Sequence, residues 1–206
     1  MKLNSPVFSA VLLLSSPAAA DFQFRSRPDL SPPRLNITVQ PSNPSTLTPG
    51  YVFIAQYPGF GPAFFGPEQP GAYIFRPDGE LIWSGQGFFG GWVADFGPTS
   101  WRGKPALRAF QGRLIQEQGR GIGNNVILND RYEVVKTVRA GSHGLLSVHE
   151  FQIVEGGAEG RALIEVPLVQ PVGLQRWGGS NKQNWIINNG FQGEFTSGEE
   201  TGIQRC

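Results

Sequence analysis

The 206-residue chain has one cysteine, Cys206, one methionine, and two histidines, His143 and His149. A single cysteine cannot close an internal disulfide, so core packing must hold the fold. One Cys and two His cannot supply the four ligands of a structural zinc site. A thiol at an unanchored terminus lacks the electropositive setting of a reactive cysteine. Charge is also scarce: 16% of residues are charged, against about 25% in an ordinary soluble chain, and the net charge is +1. That balance gives no electrostatic reason to expect a nucleic-acid partner or an anionic membrane. The longest apolar run, Val7 to Leu14, is too short for a bilayer, which needs about 20 residues. No long amphipathic helical period appears, and no G-x-S-x-G or phosphate-loop pattern with a strand-to-helix context.

Glycine, proline and aromatic residues are abundant: 28 Gly, 17 Pro, 15 Phe and 5 Trp. Gly and Pro together are nearly twice their average share, and each costs about 1 or 3 kcal/mol inside a helix, so a helical bundle is excluded. The aromatic content argues against disorder. A turn-rich all-β chain fits.

Four regions follow. Residues 1–20 read as a secretory signal peptide: Lys2, a short apolar core, and small residues through Ala18-Ala19-Ala20 for cleavage. The expected location is extracellular. Residues 21–50 carry Pro28, Pro32, Pro33, Pro41, Pro44 and Pro49, which remove ladder donors, so this stretch is extended or loop with one strand at Leu35–Val39. Asn36-Ile37-Thr38 is a glycosylation sequon. Residues 51–192 hold short apolar runs cut by turns: Tyr51–Gln56, Ala72–Phe75, Glu80–Trp83, Trp92–Phe96, Ala106–Phe110, Asn125–Leu128, Tyr132–Val138, Val148–Val154, Arg161–Val166 and Trp185–Asn188. Pro77-Asp78-Gly79 is a hairpin turn, because proline presets φ and Asp-Gly accepts positive φ. A similar pair of arms recurs around Asp130, 52 residues after Asp78, near the 40–50 residues of a propeller blade. The expected fold is an incomplete β-propeller of three to four blades. Residues 193–206 are expected to be an irregular tail.

Several segments together resemble the secreted fungal branch of the arylsulfotransferase family. They are Phe24-Arg25-Ser26-Arg27-Pro28-Asp29-Leu30, Pro49-Gly50-Tyr51-Val52-Phe53-Ile54-Ala55, Ala72-Tyr73-Ile74-Phe75, Gly79-Glu80-Leu81-Ile82-Trp83, Gly119-Arg120-Gly121-Ile122-Gly123 and His149-Glu150-Phe151. The resemblance runs from about Phe24 to Phe191. It implies a six-bladed propeller that moves a sulfuryl group from aryl sulfates to phenols through a histidine, with no cofactor. By resemblance His149 is the catalytic candidate and Arg120 a substrate oxyanion contact. The family motif is D-x-H-E-F, and here Ser147 stands at the acid position, where it offers a hydrogen bond but no charge. The alternative for His149 is a structural histidine at a strand end. Gly119–Gly123 reads foremost as a hairpin or inter-blade turn, His143 as a solvated loop residue ahead of one reaching the same pocket, and Asp95 as a strand residue facing solvent ahead of the channel. Trp83, Trp92, Trp101, Phe88, Phe89 and Phe96 suit packing between blades, with Phe88-Phe89 the best candidate for a sugar or aryl platform.

Six blades need about 250 residues or more. The expectation is therefore a shortened chain without turnover, exposing open blade edges through which it self-associates. The competing expectation is a secreted, non-catalytic propeller that binds a glycan, an aryl compound or a protein.

Overall fold

The computed structural model describes residues 28–39, 41–57, 66–141, 144–154, 160–182, 185–195 and 204–205. The proposed signal segment and His143 lie outside the described residues. The chain is all-β, built as three separate antiparallel meanders, none closed on itself. Sheet A contains β1 (Val52–Gln56), β2 (Gly71–Phe75) and β3 (Leu81–Ser84). Sheet B contains β4 (Trp92–Trp101), β5 (Lys104–Ile115), β6 (Arg120–Leu128) and β7 (Val134–Val138). Sheet C contains β8 (Phe151–Val154), β9 (Arg161–Pro171), β10 (Trp185–Phe195) and β11 (Gln204–Arg205). Among the described residues, no helix is long and apolar enough to cross a membrane.

Strand alternation puts sheet B in the middle. Val93, Ala109 and Val126 pack with Ala72 of β2. On the opposite face Phe110, Ile127 and Val138 pack against Phe151, Ala162, Ile164 and Val166 of sheet C. Successive residues of β5 and β6 thus serve opposite cores, as a period of two requires.

Phe110 has no exposed surface, and the glycines opposite it explain how. A Cβ at Gly121 would lie 3.0 Å from the Phe110 ring, and one at Gly123 would lie 2.7 Å from it. The Gly119–Gly123 segment is therefore more than a turn. Only Gly119, at φ 61, closes the connection, and β6 already begins at Arg120. Its glycines clear room for a ring.

The two hairpins expected to be analogous share one construction. In the first, Arg76 N donates to Glu80 O and Gly79 N to Arg76 O. In the second, Asn129 N donates to Glu133 O and Tyr132 N to Asn129 O. Each places a left-handed residue before its second strand, Gly79 at φ 91 and Tyr132 at φ 62. Arg76 corresponds to Asn129, so the repeat is 53 residues, one more than the Asp78–Asp130 alignment suggests. Tyr132 is consequently a turn residue, and β7 starts only at Val134.

Other boundaries also differ from expectation. Leu35–Val39 forms no strand. The prolines just ahead of it leave few donors, and the chain there is tied by side chains: Ser31 N donates to Gln69 Oε1 (2.7 Å), and Gln69 Nε2 to Asp29 O (3.0 Å). β10 runs on to Phe195, and Gln204–Arg205 pairs with Gly190–Phe191. Strand structure thus extends past residue 192, because backbone pairing with β9 needs no apolar side-chain period.

Candidate functional site

β9 carries alternating Ala162, Ile164 and Val166 into the core, so Leu163 and Glu165 turn outward. The register places Phe191 opposite Glu165, and Gln152 opposite Leu163. Glu165 N also reaches Glu150 O, so Glu150, Glu165 and Phe191 form a row across three strands. Together with Asn189 these residues line an open cleft of about 420 Å³ on the outward face of sheet C. Phe191, Leu163 and Ile164 supply apolar surface, and Glu150, Gln152, Glu165 and Asn189 supply hydrogen-bonding groups. Two carboxylates facing across neighbouring strands repel one another. Glu165 Oε2 is buried without a hydrogen-bond partner.

His149 directly precedes Glu150 but does not itself line the cleft. It is exposed in a bend, with β8 starting two residues later at Phe151. Its Nε2 is 2.8 Å from Gly119 O. A carbonyl only accepts, so this contact requires the proton on Nε2, and in the neutral ring the lone pair is then on Nδ1. Ser147 is 1% exposed, and its Oγ accepts the His149 backbone N–H at 3.3 Å. The serine thus fixes the backbone of the bend; the imidazole is held by Gly119.

Arg120 follows Gly119 directly. Its Nη2 donates to Asn189 Oδ1 at 3.3 Å, while Nη1 is buried without a partner. The dipeptide Gly119-Arg120 therefore holds His149 through one residue and a cleft-lining side chain through the next. The two residues singled out by resemblance are thus brought together at Gly119-Arg120, and only Arg120 reaches the cleft margin, through Asn189.

Beneath this margin lies a charge pair. A bulge in β4 sets two residues, Asp95 and Phe96, between the pairs Ala94↔Phe110 and Gly97↔Arg108. Asp95 adopts φ 49 and its carboxylate accepts a hydrogen bond from Arg108. Arg108 also donates to Phe151 O at 2.6 Å, tying sheet B to the first residue of β8. Asp95 is thus half-buried and paired instead of facing solvent. Burial raises its pKa above the usual aspartate value, with Arg108 opposing the shift and Glu150 adding to it.

The aromatic side chains pack largely between sheets. Trp83 stacks on Phe96 at 5.8 Å and on Tyr132 at 4.9 Å, with Phe88 at 5.3 Å on its rim. Phe88 is exposed. Asn36 is also exposed, outside any strand. His149 and Arg120, named by resemblance, are not among the cleft-lining residues, and the sequence reading missed Phe191, Glu165 and Gln152, which are. The alternation within Arg161–Val166 carries a signal for Glu165, since a lone carboxylate between buried positions must face outward.

Compared with protein-family models, with curated proteins and with solved structures, the chain matches none.

Proposed function

We propose that the three meanders are successive blades of a propeller-like stack, and that the chain binds a neutral carbohydrate in the cleft on sheet C. The arrangement of Phe191 beside Glu150, Gln152, Glu165 and Asn189 carries this reading. A sugar presents an apolar C–H face to a ring and hydroxyls to polar side chains. Sites of this kind combine apolar lining with a few fixed polar groups. Neutral hydroxyls can donate to the carboxylates of Glu150 and Glu165 that line the cleft. Calorimetry against a panel of neutral oligosaccharides tests the reading. Phe191→Ala is expected to weaken the binding found there by about tenfold, a loss of about 1.4 kcal/mol. Equal affinity in the variant, or no binding across the panel, would reject it. Self-association through this face would cover the cleft, so sedimentation velocity with and without sugar separates the two.

The second reading is sulfuryl transfer of the arylsulfotransferase kind. It is favoured by Nδ1 of His149, which in the neutral ring has the lone pair a nucleophile needs, and by the guanidinium of Arg120, the residue after the Gly119 that His149 contacts. Two observations weigh against it. Glu150 and Glu165 face the cleft and would repel an aryl sulfate, and Ser147 is engaged with backbone. No turnover of 4-nitrophenyl sulfate is expected; turnover abolished by His149→Ala would reverse the ranking.

Secretion belongs to the same proposal. The exposed Asn36 side chain is open to an oligosaccharyltransferase, so secreted material is expected to shift in gel mobility on enzymatic deglycosylation, and Asn36→Gln material not to shift. An identical mobility for both proteins before treatment would count against it.

A further inference from the structure

The opposite end of sheet B carries a second concave site, separate from the cleft on sheet C. The β4–β5 and β6–β7 turns lie side by side there, around an opening of about 600 Å³. Arg102 and Lys104 line it from the β4–β5 hairpin, Arg131 from the β6–β7 turn and Lys136 from β7, together with the carboxylates of Asp130 and Glu133. The local excess of positive charge is greater than the net +1 of the whole chain. We propose that this cleft binds an acidic oligosaccharide through its clustered carboxylate or sulfate groups.

Both turns hold their cations in place. Trp101 pairs with Lys104 across Arg102-Gly103, and both turn residues are left-handed, at φ 52 and φ 73. That is the two-residue hairpin turn in which Asn or Gly normally occupies the first position. An arginine there stands at a backbone cost and points a guanidinium from the tip. In the other turn, Asn129 Oδ1 accepts Arg131 N and Glu133 N, each at 2.9 Å. Asn129 Nδ2 donates to Glu133 Oε2 at 2.8 Å, which occupies one of the two carboxylates in the lining. The turn is thus fixed before a ligand arrives, which lowers the entropic cost of binding.

The lining selects among anions. Trp101 is 7% exposed, so no ring is available to stack a base, and single-stranded nucleic acid lacks its usual platform. Four cations spread over two hairpin turns and the strands that leave them suit several anionic groups spaced along a chain better than a single small ion. Lysine and arginine each form strong charge-assisted bonds to carboxylate and sulfate oxygens.

The test uses the full chain at low salt in calorimetry. The probes are a carboxylated tetrasaccharide (tetragalacturonate), a sulfated tetrasaccharide, inorganic sulfate and a single-stranded oligonucleotide. The expected result is micromolar-range binding of at least one tetrasaccharide, weakening steeply with salt. Arg131→Gln and Lys104→Gln should each cost about tenfold, and Phe191→Ala nothing. Circular dichroism and the melting temperature verify that the variants fold. If one variant fails to fold, the other carries the comparison. The relative affinity of the two tetrasaccharides identifies the anionic group. Unchanged affinity in folded variants, binding of the oligonucleotide in preference to both sugars, or sulfate binding alone would overturn the proposal. Loss of neutral-sugar binding in Phe191→Ala with acidic binding intact separates this site from the one on sheet C.

Discussion

Phe110→Ala is expected to destabilise the chain by about 3–5 kcal/mol, read as a lower denaturant midpoint at unchanged m-value. The ring is fully buried, packs edge-on against Trp92 at 5.8 Å, and belongs to the core shared by sheets B and C. Its loss removes apolar contact and leaves a void that neighbouring strands cannot readily fill. Gly121 and Gly123 have no side chains to move into the space, and their backbones are fixed by pairing with Leu114 and Gly112. A loss below about 1 kcal/mol would mean that the sheets do not share this core.

Arg108→Met is the second large change. It removes the partner of Asp95 and the bond to Phe151 O together. Breaking a fully buried ion pair costs about 3–5 kcal/mol; this pair is partly exposed, so about 1–3 kcal/mol is expected. The pH dependence identifies the cause. Asp95 is already raised by burial in the intact chain, so its native state holds the proton more tightly than the unfolded state. Its contribution is most favourable below the ordinary aspartate value of 3.8, and stability is lost as pH rises from there through the raised native pKa. Arg108→Met moves that native pKa higher and extends the loss further toward neutral pH. The deficit relative to the parent should therefore shrink at acid pH, and Asp95→Asn in the Arg108→Met background should recover part of it at pH 7. A deficit independent of pH would assign the effect to the lost Phe151 bond alone.

Much of the fold was legible because the local signals are strong. Pro77-Asp78-Gly79 specified a hairpin by backbone preference alone, and the apolar runs between turns marked ten of the strands. What was not legible depended on partners distant in sequence. Nothing near Asp95 shows that a bulge will aim it at Arg108. Gly119–Gly123 resembles a turn until the Phe110 ring opposite it is known. Tyr132 reads as the start of a strand because aromatic residues favour strands, yet it occupies the left-handed turn position that Gly79 fills in the other hairpin. His149 and Arg120 were named by resemblance, and neither lines the cleft. The cleft itself could not be named, since it depends on the registers that align Glu150, Glu165 and Phe191.

Tyr132 has a further consequence. A bulky residue at positive φ is unfavourable by about 1–3 kcal/mol, and Tyr132 holds that conformation while its ring lies nearly parallel to Trp83, at 14°. Trp83 belongs to sheet A, and both Tyr132 and its other stacking partner, Phe96, belong to the sheet B segment of the chain. The indole is therefore an intercalated ring whose two neighbours leave together if the sheets part. Parting would also free the turn to relax, so optical environment and backbone strain change in one event. Trp83 is a built-in chromophore for the separation of sheets A and B, and its emission should move to the red when they open, ahead of any change at Trp185 on the far side of the stack.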